Sequence, residues 1–151
     1  MRWAKDRKIG VVVFFLIFAG VVSSASAWVV KDKVTIFNSL ASEYDAARQK
    51  SGDFSLKEAE RDKYSVWAYV AEKEMYRVYR RLSEEEKKKL FRNWKFKTFG
   101  ETKVDRSNIR QWLEKNFFAP QEIDALSMID DLPGKEKRYR TYLAKRGLIL
   151  P

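Results

Sequence analysis

Two residue types are missing outright: the chain contains no cysteine and no histidine. Without cysteine there is no disulfide scaffold, no redox thiol and no zinc ribbon or finger. Without histidine, the Ser-His-Asp triad, the Cys-His pair and imidazole ligation of haem fall away as well. Acids are the third shortfall. Lysine and arginine number 31 against 21 aspartates and glutamates, a formal charge of +10. That balance suits acidic partners or anionic surfaces. What the chain does have is core material, 45% hydrophobic and 15% aromatic residues over 151 positions. This is too apolar for a disordered chain and long enough for one compact domain.

The first thirty residues set the expected compartment. Arg2, Lys5, Arg7 and Lys8 surround the single acid Asp6, an apolar run follows from Ile9 to Val22, and Ser23-Ser24-Ala25-Ser26-Ala27 supplies small residues. A basic start, an apolar segment and an Ala-x-Ala ending have the anatomy of a secretory signal peptide over residues 1–27. A signal anchor is the competing reading. Apolar character resumes at Trp28-Val29-Val30, and a helix from Ile9 to Val30 would reach about 33 Å, enough to cross the hydrocarbon. Either reading places residues 28–151 outside the cytoplasm as an extracytoplasmic, periplasmic or secreted domain. It is soluble after cleavage near Ala27, or tethered to the inner membrane by residues 9–30. Without cysteine, lipid acylation at the mature end is excluded.

Residues 28–151 read as an all-α domain of five or six helices. From Asp32 to Lys50, Val34, Phe37, Leu40, Ala41 and Tyr44 recur at spacings of three and four, and Ser51-Gly52 stops the pattern. Ser55-Leu56-Lys57-Glu58 reads as a capping box opening a long helix to Leu82. Its apolar stripe is Leu56, Tyr64, Trp67, Ala71, Met75, Val78 and Leu82. Ser83 to Glu86 repeats the box and opens a shorter helix through Leu90, Phe91 and Trp94. Residues 95–104 alternate enough for a hairpin, but Gly100 favours a helix end and a loop. Asp105 is positioned to cap a helix carrying Ile109, Trp112, Leu113 and Phe117, with Val104 and Ile109 as its hydrophobic staple. Another start falls at Phe118-Ala119-Pro120. Leu132-Pro133-Gly134 reads as a break, and a last helix over 135–146 ends at Gly147 with Leu143 and Leu148 placed for a Schellman contact.

No catalytic constellation stands out, and no cofactor or metal is expected. Glu74 falls inside the apolar stripe of the long helix, where a raised pKa would suit a general acid of a glycan-cleaving enzyme. Arg77 and Arg81, three and seven residues on, favour structural ion pairing instead. Glu122, Asp124, Asp130 and Asp131 lack the regular spacing of a calcium loop and precede a very basic helix.

Two surfaces suit binding better. Tyr69, Lys73, Tyr76 and Arg80 project together, about 170° from the stripe at 100° per residue. Tyrosine gives a rigid amphipathic contact and arginine a fork for carboxylates or phosphates. Packing within the domain and a plain solvated face are the alternatives. In the last helix, Arg138, Tyr139, Arg140, Tyr142, Lys145 and Arg146 interleave cations with rings, as polyanion binders do. The compartment argues against nucleic acid and for anionic lipid, envelope glycan or an acidic protein.

Leu82-Ser83-Glu84-Glu85-Glu86 resembles, over five residues, the Leu-Thr-x-x-Gln element of small, basic, all-α periplasmic chaperones of the stress-adaptor type. Glutamate stands where that element has glutamine, so the likeness is one of size, compartment and charge. The leading expectation is an exported, non-enzymatic helical protein that works by binding, as an accessory or assembly subunit of an envelope complex or a chaperone-like module. A basic module for anionic membrane surface is the second, and a carboxylate-dependent glycan-cleaving enzyme the third.

Overall fold

The computed structural model describes residues 31–95, 97–99, 101–118 and 124–151. The signal or anchor segment and the helix start expected at Ala119-Pro120 lie outside them. Among the described residues the chain is mostly helical, with a single two-stranded ribbon. None of these helices is long and apolar enough to cross a membrane.

Helix α1 (Lys33–Ser51) starts where the pattern places it. The Asp32 carboxylate accepts from the Thr35 amide at 3.0 Å, satisfying one orphan donor of the first turn, and Gly52 closes the helix. Helix α2 runs from Glu58 to Arg80, shorter than the expected 56–82. The first capping box does not form. Lys57 is the N-cap and supplies no side-chain bond, while the Ser55 amide and hydroxyl both donate to the Asp53 carboxylate. An Asx turn has taken the serine that the box required. The second box does form around α3 (Glu84–Phe91). Ser83 Oγ accepts from the Glu86 amide at 3.2 Å, and the Glu86 carboxylate accepts from the Ser83 amide at 2.7 Å.

Within 95–104 the described residues form two paired strands, where a helix end and a loop were the favoured expectation. Strands β1 (Lys97–Phe99) and β2 (Thr102–Val104) pair antiparallel, Lys97 with Val104 and Phe99 with Thr102. Gly100-Glu101, between them in sequence, is a Gly-X pair of the kind two-residue turns favour. Such a short ribbon needs outside support. The Trp94 indole donates to the Val104 carbonyl at 3.3 Å, Arg106 to the Trp94 carbonyl at 3.3 Å, and Asn108 to the Lys103 carbonyl at 2.8 Å.

After it, Asp105 does not cap a helix directly. Its carboxylate accepts from the Ser107 amide and hydroxyl, and helix α4 (Ile109–Trp112) begins after Asn108. The chain then widens into a π-helical turn, Leu113–Phe117, closed by the Phe118 amide on the Leu113 carbonyl at 2.8 Å. A single turn α5 (Asp124–Ser127) precedes α6 (Leu132–Lys145).

Leu132-Pro133-Gly134 is not a break but the first turn of α6. Asp131, in left-handed conformation at φ 48°, accepts from the Gly134 amide, and proline tolerates an early helical position. The far end is a Schellman motif, with Gly147 at φ 67°, Gly147 N–H on the Ala144 carbonyl and Leu148 N–H on the Leu143 carbonyl. Leu143 and Leu148 are both wholly buried.

Helix α1 packs along α2, and α6 also lies against α2. A helix packed by two neighbours buries more than one narrow stripe. Accordingly Val66, Val70 and Tyr79 join the expected Ala71, Met75 and Val78 in the core, while Tyr64 and Trp67 are only half-buried. Aromatic rings bind the layers together. Tyr44 meets Phe117 edge-on at 5.3 Å, and Phe37 lies 6.2 Å from Tyr79.

Candidate binding surfaces

The outer face of α2 keeps three of its four expected residues in the open: Lys73, Tyr76 and Arg80 are exposed, and Tyr69 is half-buried against the core. Helical geometry explains the grouping, since positions 69, 73, 76 and 80 follow spacings of four, three and four. The cations lie over the rings. Lys73 Nζ is 4.6 Å from the Tyr69 centroid and Arg80 Cζ 5.6 Å from that of Tyr76. Tyr76 also leans on Phe118, at 5.2 Å between centroids.

Two shallow depressions meet at Tyr76 and Arg80. One, of about 340 Å³, is lined by Tyr76, Tyr79, Arg80, Lys87 and Glu114. The other, of about 300 Å³, is lined by Tyr76, Arg77, Arg80 and Arg81. Within the first, the Tyr79 hydroxyl donates to Glu114 at 3.4 Å and Lys87 Nζ stands 5.0 Å from the Tyr79 ring. Burial pushes the Tyr79 phenol above its ordinary range, so it stays a neutral donor. The second depression is walled by three arginines. Among the described residues no carboxylate pairs with Arg80.

The expected face on α6 is divided. Tyr139 points into the core at 1% exposure and stacks on Trp67, ring centroids 4.6 Å apart and 10° from parallel. Arg140 turns inward to the Glu74 carboxylate. Tyr142 is 42% exposed and extends the stack, 5.7 Å from Tyr139, while Arg146 donates to its hydroxyl at 2.9 Å and pairs with Glu43. Arg138 pairs with Asp131 at 3.2 Å on the surface, and Lys145 is exposed. The basic-aromatic alternation of α6 therefore serves two ends. Its rings and Arg140 hold the helix to α2, and its remaining cations face solvent.

Glu74 is the most enclosed acid of the described residues, at 1% exposure. Arg77 reaches it at 3.3 Å as expected, but Arg81 does not, donating instead to the Pro151 carbonyl at 2.6 Å. Arg140 is the second partner. Glu74 lines neither depression. Among the described residues no group of acids is arranged to hold a metal ion.

Tyr79, Lys87 and Glu114 were not foreseen as neighbours of Tyr76. The clue lay in Tyr79, an apolar position about 40° beyond the Met75 edge of the stripe at 100° per residue, on the side toward Tyr76. No family model matches the chain, and no curated protein or solved structure matches it.

Proposed function

We propose that the helical domain is an exported, non-enzymatic binding protein that holds an acidic protein segment on the outer face of α2. The observation that carries the reading is the Tyr76–Arg80 ridge, an exposed ring and a guanidinium that pairs with no carboxylate among the described residues, between two depressions and flanked by Arg77 and Arg81. A rigid ring supplies apolar contact at low entropic cost, and the arginine forks match carboxylates. Arg77 and Arg80 are presented on a helix of 23 residues, with Arg81 as its C-cap, so little ordering remains to oppose binding.

The test compares retention of envelope proteins by the wild-type chain and by a Tyr76→Ala/Arg80→Ala variant. A protein held by the first and released by the second, with both melting alike, supports the reading. Identical retention, or none by either, removes it.

A further inference from the structure

We propose that the end of the bundle at which α1 begins docks flat on an anionic lipid surface, through a cationic collar that includes Lys31, Lys89 and Lys145. Three chain segments meet there. Lys31 Nζ donates to the Arg146 carbonyl at 2.9 Å, which brings the end of α6 beside the start of α1. Lys33 Nζ donates to the Arg81 carbonyl at 2.6 Å and pairs with Glu86 at 2.9 Å, which adds the end of α2 and the first turn of α3. Lys89 is near enough to Asp32 to help hold that carboxyl below its usual range, behind the larger effect of the Thr35 hydrogen bond. The opposite end of the bundle is where Lys50 meets Tyr64 and where Phe54 is exposed.

The acids at the α1 end are committed to the protein itself. Asp32 caps α1, Glu86 closes the capping box, Glu84 takes both terminal nitrogens of Arg110 at 2.8 and 2.9 Å, and Glu85 pairs with Lys88. Lys31 spends its hydrogen bond on a neutral carbonyl, and among the described residues no carboxylate pairs with it. Among the described residues no carboxylate pairs with Lys89 or Lys145, and both are exposed.

The occupant follows from charge and from attachment. In sequence the apolar run ends at Val30, and Lys31 is the next residue. If that run is held in a bilayer, the collar is the part of the domain nearest the headgroups. An anionic surface attracts each nearby lysine by about fivefold in association. The collar adjoins the Tyr76–Arg80 ridge at the end of α2, but Lys31, Lys89 and Lys145 line neither depression, so the two readings are tested by different substitutions.

Because the chain has no cysteine, single labels can be placed cleanly. The full chain is prepared as Pro151→Cys, beside Arg81 at the collar end, and as Phe54→Cys, at the far end, each carrying a fluorophore. Each is mixed with phosphatidylcholine vesicles or with vesicles also containing phosphatidylglycerol, both bearing a headgroup quencher. The expected result is quenching of the residue-151 label in the anionic vesicles well above that in neutral ones, with the residue-54 label unaffected. Replacing Lys31, Lys89 and Lys145 by serine should abolish the difference, as should salt at about 1 M, where the Debye length is about 3 Å. Circular dichroism of the serine variant checks that the fold is intact, and retention of the protein partner, untouched by these changes, separates this result from the ridge. Equal quenching in both lipids, quenching that survives the serine variant, stronger quenching at residue 54, or no association with either vesicle would overturn the proposal.

Discussion

Arg140 of α6 closes on the carboxylate of Glu74 in the middle of α2, and Arg77 completes the cluster from the same helix at 3.3 Å. A carboxylate at this depth is costly to desolvate and is tolerated because two guanidinium groups surround it. The pair also fixes how α6 sits on α2, alongside the Trp67–Tyr139 stack.

Removing one member should therefore be worse than replacing the charge. Arg140→Ala leaves Glu74 with one partly exposed partner and should cost about 3 kcal/mol. Glu74→Gln keeps the shape and a hydrogen-bonding group, and the arginines it frees can turn to solvent, since the Arg77 side chain is 52% and that of Arg140 33% exposed. It should cost roughly half as much, and the double variant less than the sum of the two. Urea unfolding of the four proteins checks this. An Arg140→Ala protein as stable as wild type would make the contact incidental.

Stability should be level across neutral pH and fall on both sides. The carboxyls of Asp32, Asp105, Glu84 and Glu86 are held below their ordinary values, by the Thr35 hydroxyl, the Ser107 hydroxyl, Arg110 and the Ser83 amide respectively. A lowered folded pKa contributes stability that is present above the unfolded value and lost as pH falls through the folded one. The acid decline should thus begin near pH 4, by the ordinary values of 3.8 and 4.5. At the other side, burial raises the phenols of Tyr44 and Tyr139 above the ordinary 10, so stability is lost as pH rises beyond that value. No histidine titrates between. The Tyr44 hydroxyl is buried without a hydrogen-bond partner among the described residues, so Tyr44→Phe should gain about 1 kcal/mol and flatten the alkaline side. Melting temperature against pH, for both proteins, tests the two statements together.

Local grammar made much of this fold legible. The Ser83–Glu86 box and the Leu143–Gly147–Leu148 ending each act within one turn, and each is where its pattern placed it. The errors fall where two local motifs competed for the same residue. Ser55 could cap a helix or serve an Asx turn, and Asp53, two residues earlier, decided for the turn. Gly100 could end a helix or turn a hairpin, and the supports that decided, from Trp94, Arg106 and Asn108, act between side chains and backbone that only folding brings together. The candidate surface divides the same way. The Tyr69–Arg80 stripe follows from helical spacing, whereas the inward turn of Tyr139 and Arg140 depends on Trp67 and Glu74, far away in sequence.

The start of α6 offers a test in which one substitution is nearly silent in the wild-type chain and stabilising in a second background. A β-carbon added at Gly134 would fall 2.3 to 2.6 Å from atoms of the Asp131 carboxyl, the group that caps the helix. Gly134→Ala in the wild-type chain must therefore turn that carboxylate aside. It loses about 1 kcal/mol of capping and regains up to about 1 kcal/mol of helix propensity, with little net change. Asp131→Gly removes the cap but relieves a left-handed residue at φ 48°, so it too should be mild. Combined, the clash is gone and the alanine keeps its propensity gain, so the double variant should exceed Asp131→Gly alone by about 0.5–1 kcal/mol. At the other end, Gly147→Ala meets no atom within 4 Å and is opposed by backbone strain alone, at φ 67°, which should cost about 1 kcal/mol. Thermal melts of the five proteins decide the matter. Additive effects at Asp131 and Gly134 would show that the carboxylate does not cap α6 in solution.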